Sequence, residues 1–303
     1  MVQHPGVLAR GFTPAERLRG FVALTKPRII ELLLVTTLPT MLVARRGVPS
    51  GWLMLATLVG GALSAGGANA TNMFLDRDID AVMHRTRKRP LVTGAVKPAE
   101  ALVFAIALEV AAFGVLWRFV NLLSACLALA AAVFYVVVYT IVLKRRSTQN
   151  IVIGGAAGAV PVLVGWTAVT DRLSLAPVVL FALIVVWTPS HFWALALKYR
   201  DDYAAAKVPM LPAVQSFDRV VRQIIWYSVV LVAVSLVFAA VGRMGPIFWA
   251  AAAAAGLFYI YSAVRLRGRE GNVKAAMSLF GYSITYIVVV FGAMAVDVLV
   301  RFH

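Results

Sequence analysis

ANATNMFLDRDIDAVMHRTRKRPL, residues 68–91, closes a long apolar, glycine-rich run and then packs three aspartates and five Lys or Arg residues into a few turns. Asn72, Asp76 and Asp80 recur at every fourth position. A helix continued through them carries all three on one face, with a drift of about 40° and a rise of about 12 Å. A row of oxygen-only ligands suits a hard cation, and Mg²⁺ prefers carboxylates together with phosphate and water. Carboxylates close to membrane depth are expensive and mark function. A plainer reading pairs Asp76, Asp78 and Asp80 with Arg77, Arg85, Arg87 or Arg89 at a solvated helix end. That reading is expected for Asp78, which points away from the row. For Asn72, Asp76 and Asp80 a metal–phosphate site is expected, with Arg85 and Arg89 on the outer phosphate oxygens.

The surrounding chain explains why such a cluster is unusual. Of 303 residues, 61% are hydrophobic and only 14% charged. Soluble domains carry about 25% charged residues, and the apolar runs here approach the roughly 20 residues that cross a bilayer. Nine spans are expected, at about 25–44, 51–74, 99–117, 120–143, 150–169, 174–198, 222–242, 246–265 and 275–299. The expected fold is an all-α integral membrane protein with nine transmembrane helices. A cytoplasmic segment, 1–24, precedes a single membrane domain, 25–303. The first span is read as a retained helix, because residues 1–20 have no short apolar region or cleavage site of the signal-peptide kind.

The net charge of +16 belongs to topology and anionic lipid headgroups, and no nucleic-acid motif accompanies it. Alternating connections hold 23 of the 29 Lys and Arg on one side and six on the other. The N-terminus and the two long loops, 75–98 and 199–221, are therefore expected in the cytoplasm. The single cysteine, Cys126, excludes an intrachain disulfide and is read as a small buried hydrophobe. Glycines at 60, 61, 66, 67, 154, 155 and 158 are expected to let helices pack closely, although they also leave room for a flat ligand.

The second long loop contains HFWALALKYRDDYAAAKVPMLP, residues 191–212, which gathers Lys198, Asp201 and Asp202 at another helix end. A third charged stretch, YTIVLKRRSTQN at 139–150, ends the fourth span. Orientation accounts for the basic residues but not for the acids, since Asp and Glu contribute little to topology. The two loops follow the second and sixth spans, which suggests a four-helix unit used twice with a ninth helix added.

The N-x3-D-x3-D of NMFLDRDID followed by RTRKRPL resembles the UbiA-type intramembrane prenyltransferases. With the 139–150 and 191–212 stretches, the chain resembles the heme-prenylating branch of that family along nearly its whole length. The resemblance implies nine membrane helices and two acidic loops that bind a prenyl diphosphate through Mg²⁺. It assigns Asn72, Asp76, Asp80, Asp201 and Asp202 to metal, and Arg85, Arg89, Tyr139, Lys144 and Arg145 to diphosphate. Catalysis falls to Asn72, Asp76, Asp80, Lys198 and Asp202. Two departures stand out. Where the family has D-x3-D in its second loop, this chain has Tyr199 and Tyr203. The Tyr-x3-Lys element is one residue longer, from Tyr139 to Lys144, so either Lys144 or Arg145 faces the site.

The implied reaction moves a farnesyl group from farnesyl diphosphate to a vinyl group of heme B, giving heme O and diphosphate in a dry, aromatic-lined site. A heme A synthase or an oxidase-assembly protein is the implied partner, with membrane lipids around the helices. Among four histidines, His191 lies within the sixth span, and both axial ligation of heme iron and a hydrogen-bonded packing role fit it. His84 reads as solvated, and His4 and His303 as terminal. Two rivals remain: a UbiA-type enzyme acting on a quinone precursor or other aromatic acceptor, and a transporter or heme-binding membrane protein. Transporters place charge near the midplane on broken helices, whereas here it gathers at helix ends.

Overall fold

The computed structural model describes residues 12–302, so the expectations for His4 and His303 fall outside it. The described chain is helical throughout, with no strand. In order the helices are α1 (Pro14–Thr25), α2 (Pro27–Arg45), α3 (Gly51–Leu75), α4 (Arg77–Val82), α5 (Pro90–Thr93), α6 (Pro98–Phe119) and α7, which begins as Leu122–Val133 and continues in π form over Phe134–Leu143. They continue with α8 (Asn150–Thr170), α9 (Leu175–Lys198), α10 (Arg200–Ala205), α11 (Leu211–Val214), α12 (Phe217–Val241), α13 (Pro246–Val264) and α14 (Val273–Phe302).

Eight of these are long and apolar enough to cross a membrane among the described residues. The 19-residue α2 packs between α8 and α14 as the ninth long helix of the bundle. In lipid every backbone N–H and C=O must be satisfied within the chain, which is why the spans are helices and the irregular backbone sits at their ends.

Three boundaries differ from the sequence reading. Residues 14–25 form a separate helix, with Thr13 and Glu16 completing a reciprocal capping box. This helix packs on α3 and α5, and Arg17 pairs with Glu100 at 2.8 Å. The first span, expected from about 25, begins at Pro27 and runs to Arg45, set off from the helix before it by Lys26 at φ +54°. At the other end of the chain, α12 begins at Phe217 rather than near 222. Cys126 is exposed on α7 rather than buried. Its small apolar side chain is equally at home against lipid as in a core.

The glycine-rich stretches divide between two jobs. A Cβ on Gly60 would strike Leu116, and one on Gly67 would meet the Ala105 carbonyl and Glu109 at 2.9 Å, so this side of α3 is sealed against α6. At Gly61 and Gly158 a Cβ would meet nothing within 4 Å. These two open onto a cavity of about 890 Å³, its open side included, between α2, α3, α7 and α8.

Candidate active site

The helix of the carboxylate row does not run straight through it. Helix α3 ends at Leu75, and Asp76 adopts φ −92°, ψ 6° before α4 begins. Backbone bonding nevertheless continues across the kink. The Asp76 N–H donates to the Asn72 carbonyl at 2.9 Å, and the Asp80 N–H to the Asp76 carbonyl at 2.8 Å. The four-residue spacing therefore survives, and all three side chains are buried, with Asp76 fully inaccessible.

Each member of the row is held by its own cation. Lys26 Nζ donates to Asn72 Oδ1 at 2.8 Å. Lys144 pairs with Asp76. Arg89 Nη1 donates to both Asp80 oxygens at 2.7 and 2.6 Å. Asn72 Nδ2 links the row internally, donating to Asp76 at 2.7 Å and to Thr140 Oγ1 at 3.0 Å. Lys26 escaped the sequence reading because it lies 46 positions from Asn72. Its signal was a lysine wedged between helix-forming stretches, directly before Pro27.

Arg145 belongs to Asp78, correcting the pairing expected with Arg77, Arg85, Arg87 or Arg89. Its two guanidinium nitrogens each donate at 2.7 Å to one Asp78 oxygen, and it stands 3.8 Å from Asp76. This fork holds the Asp78 carboxyl down at about 2, below its usual range. Arg77 instead folds back to donate to the Phe74 carbonyl at 2.7 Å. His84 is exposed, beside Arg87.

The choice between Lys144 and Arg145 is made by backbone form. In a π-helix the bond runs from residue i to i−5, and the Lys144 N–H donates to the Tyr139 carbonyl at 2.8 Å. A π-turn brings i and i+5 onto one face, as an α-turn does for i and i+4. The extra residue between Tyr139 and Lys144 is absorbed this way, and Lys144 reaches Asp76. Tyr139 packs on Gly154 and stacks on Tyr135, ring centroids 5.3 Å apart.

The second loop is built differently. Arg85 lies over the rings of Tyr199 and Tyr203 at 5.1 and 5.9 Å, and its Nη2 donates to the Tyr203 hydroxyl at 3.3 Å. The Arg85 backbone N–H donates to Asp202 at 3.1 Å. Burial pushes the Tyr203 phenol up, against the pull of Arg85. Lys198 is exposed over the Tyr199 ring at 5.4 Å. Asp201 is exposed in the first turn after the kink at Tyr199. Among the described residues no three His, Cys, Asp or Glu side chains converge as a metal cage. Of the aromatics near these helix ends, Trp193 is buried against Tyr227 and Phe74 lies under Arg77, whereas Tyr135 and Tyr139 adjoin the row.

Mg²⁺ can be tested against this arrangement. Asp76 Oδ1 is buried and has no hydrogen-bond partner among the described residues. An orphaned buried carboxylate oxygen is costly, and a cation there removes the cost. Mg²⁺ is commonly held by one or two carboxylates plus substrate phosphates rather than by an all-protein cage. The donor set of Asn72, Asp76 and Asp80 fits it.

The cavity begins beside this site. Asn69 and Tyr135 line it at the row end, and Ala62, Ala65, Ala128 and Val164 line its apolar walls. On α9, His191 is stacked between Trp187 and Phe280 with centroids 4.1 and 4.6 Å away. Its Nδ1 lies 2.5 Å from Ser283 Oγ, which itself donates to the Phe280 carbonyl. Seven residues separate His191 from Lys198, so the two share a face of α9 about two turns apart.

Comparison with known proteins gives this geometry a family. The profile of the UbiA prenyltransferase family matches residues 33–284. A protoheme IX farnesyltransferase of Streptomyces avermitilis is 53% identical over 299 residues, covering 97% of this chain and 98% of its own. One of Streptomyces coelicolor is 52% identical, covering 98% and 97%. Among solved structures, a digeranylgeranylglyceryl phosphate synthase superposes with a TM-score of 0.75 at 18% identity, covering 94% of this chain and 99% of its own. A UbiA homologue from Archaeoglobus fulgidus bound to DMAPP and Mg²⁺ superposes with a TM-score of 0.66 at 17% identity, covering 91% and 99%. The match along most of the chain, with the buried N-x3-D-x3-D row at the mouth of an apolar cavity, makes this protein a prenyltransferase and a member of the UbiA prenyltransferase family.

Proposed function

We propose that the enzyme transfers a farnesyl group from farnesyl diphosphate to a vinyl group of heme B, releasing diphosphate and giving heme O. The observation that carries the donor half is the orphaned Asp76 oxygen, set among three cations at the mouth of an apolar cavity. The diphosphate lies at the row and the prenyl chain in the apolar cavity beside it. Mg²⁺ held by Asn72, Asp76 and Asp80 supplies Lewis-acid withdrawal of charge from the leaving diphosphate.

The chain's own residues do the rest. Lys144 and Arg89 are largely desolvated and aimed at the row, so their charge is available as the C1–O bond breaks with little reorganisation of solvent. Burial pushes Lys26 down to about 7, so the negative charge that develops on the diphosphate favours its charged form. Arg85, a first-loop residue, is clamped by two phenol rings of the second loop and by Asp202 at its backbone. The stacked Tyr135 and Tyr139 rings offer π faces to the allylic cation. The apolar cavity walls keep water away from it.

Support for heme as acceptor comes from the names of relatives about half identical to this chain over nearly its full length. His191 is the acceptor-side residue. Ser283 gives its one proton to Phe280 and so accepts from His191 Nδ1–H, which leaves the Nε2 lone pair for heme iron. His191→Ala should weaken heme binding and shift the Soret band. An unchanged spectrum and affinity would remove the axial role. By the positive-side bias, the site faces the cytoplasm of a bacterial inner membrane.

The deciding experiment incubates detergent-purified enzyme with heme B, farnesyl diphosphate and Mg²⁺, and reads heme products by mass spectrometry. Heme O from wild type, with almost none from Asp76→Asn or after chelation, is expected. Prenylation of a quinone precursor or another aromatic acceptor, with heme untouched, would keep the donor site and overturn the acceptor.

A further inference from the structure

Only six of the 29 Lys and Arg lie on the side opposite the acidic loops. Topology calls for few cations there, so a cluster among those six needs another cause. Three of them, Arg46, Arg243 and Arg301, meet where the C-terminal ends of α2, α12 and α14 come together, at the far end of the bundle from the carboxylate row. Arg46 Nη2 donates to the Gly242 carbonyl at 2.7 Å, and Arg301 Nη1 to the Arg243 carbonyl at 2.9 Å. The Arg46 and Arg301 guanidinium carbons lie 5.6 and 5.5 Å from the Phe302 ring centroid.

Among the described residues one side-chain carboxylate is present, and it is largely committed elsewhere. Asp297 is fully buried and accepts the Gly245 N–H at 2.6 Å and the Phe248 N–H at 3.4 Å, capping the N-terminus of α13 from a neighbouring helix. Arg301 stands 3.7 Å from it. Three guanidinium groups thus share one carboxylate that already serves a helix end. Arg46 Nη1 is buried with no hydrogen-bond partner among the described residues. A guanidinium prefers a planar, bidentate oxyanion, and buried N–H groups without acceptors are rare.

We propose that Arg46, Arg243 and Arg301 form a binding site for a phosphate group at headgroup depth, with Arg46 Nη1 as its innermost donor. The site lies at the ends of three spans, beside the apolar tip of α14, which is where the phosphodiester of a membrane lipid sits. A free phosphate ion has the same chemistry, and the experiment separates the two.

The enzyme is reconstituted in nanodiscs of phosphatidylcholine with phosphatidylglycerol, extracted into detergent and read by native mass spectrometry for retained lipid. Wild type should retain one phosphatidylglycerol that Arg46→Gln and Arg243→Gln lose at least fivefold, while Arg118→Gln, on the same side and outside the cluster, keeps it. The Arg243 side chain is exposed, so its replacement tests binding without loosening helix packing. In a parallel arm, lipid-free enzyme is titrated with inorganic phosphate and its melting midpoint followed. A rise in wild type that is absent in Arg243→Gln assigns the site to free phosphate. Equal lipid retention in all variants, with no cluster-dependent phosphate shift, overturns the proposal.

Discussion

After α3 the chain kinks at Asp76 (φ −92°, ψ 6°), makes a helix of six residues, α4, and later one of four, α5. After α9 it kinks at Tyr199 (φ −107°, ψ 24°), makes a helix of six residues, α10, and later one of four, α11. The backbones repeat while the chemistry inverts. Asp76 and Asp80 in the first loop correspond to Tyr199 and Tyr203 in the second. Arg89, which caps α5 and holds Asp80, corresponds to Met210, which caps α11 and is fully buried in the same cluster as Tyr203. A buried carboxylate requires a cation beside it, whereas a buried phenol ring accepts an apolar neighbour. One frame has thus become a carboxylate half, where Mg²⁺ is proposed to bind, and an aromatic half that holds a cation, Arg85.

The first way to break this comparison is at its most buried charge. Asp76→Asn keeps the shape and removes the only carboxylate of the row that has a free, buried oxygen. Farnesyl transfer should fall by about 10³-fold or more, by analogy with losing a preorganised charge-stabilising group. Single-turnover product analysis by mass spectrometry reads it. A fall of less than tenfold would remove Asp76 from the metal site.

The second is to give the first loop the partner that the second uses. Arg89→Met leaves Asp80 buried and unpaired, which should cost about 3–5 kcal/mol of stability. The double variant Asp80→Asn/Arg89→Met should recover most of that loss in a detergent melting curve while remaining inactive. If the single variant melts like wild type, Arg89 is not what compensates the buried Asp80 carboxylate.

The third tests the second loop's two acids against each other. Asp202→Asn weakens the acceptor for the Arg85 backbone and should lower activity by about fivefold, roughly 1 kcal/mol for one hydrogen bond. Asp201→Asn, on the exposed side, should stay within about twofold, as surface substitutions do. Equal losses in both would restore the second loop as a paired-acid metal half.

These outcomes bear on what could be read from sequence. The row itself was legible, because a four-residue period of Asn and Asp in an apolar chain has few other uses. The nine long helices of the described residues were legible from hydropathy. What escaped depended on backbone form. Nothing local announces that residues 134–143 wind as a π-helix, yet that winding selects Lys144 over Arg145 for Asp76. The break at Lys26 was hidden because Pro27 suits both the start of a helix and the interruption of one. The exposure of Asp201 was hidden because nothing in the sequence announces the kink at Tyr199 or the short helix after it.

The smallest effect belongs to the pair at the rim, Asp78 and Arg145. Their fork keeps the Asp78 pKa at about 2 in the folded enzyme, below the value of 3.8 for a free aspartate. A group whose pKa is depressed on folding adds stability that is fully present above the unfolded value and is lost as pH falls through the folded one. Asp78 thus contributes at neutral pH and gives up its contribution between about pH 4 and pH 2. The Asp78 side chain is 62% exposed, so solvent screening limits that contribution to about 1 kcal/mol or less. Asp78→Asn should leave the pH 7 melting point within a few degrees of wild type and flatten the acid limb of the stability curve over that window. Farnesyl transfer at pH 7 should change little, because Arg145 stands 3.8 Å from Asp76 whereas Lys144 is bonded to it. A large loss of activity with an unchanged acid limb would mean that Arg145, released from Asp78, competes with Lys144 for Asp76, and that the rim pair holds the metal side of the comparison in register.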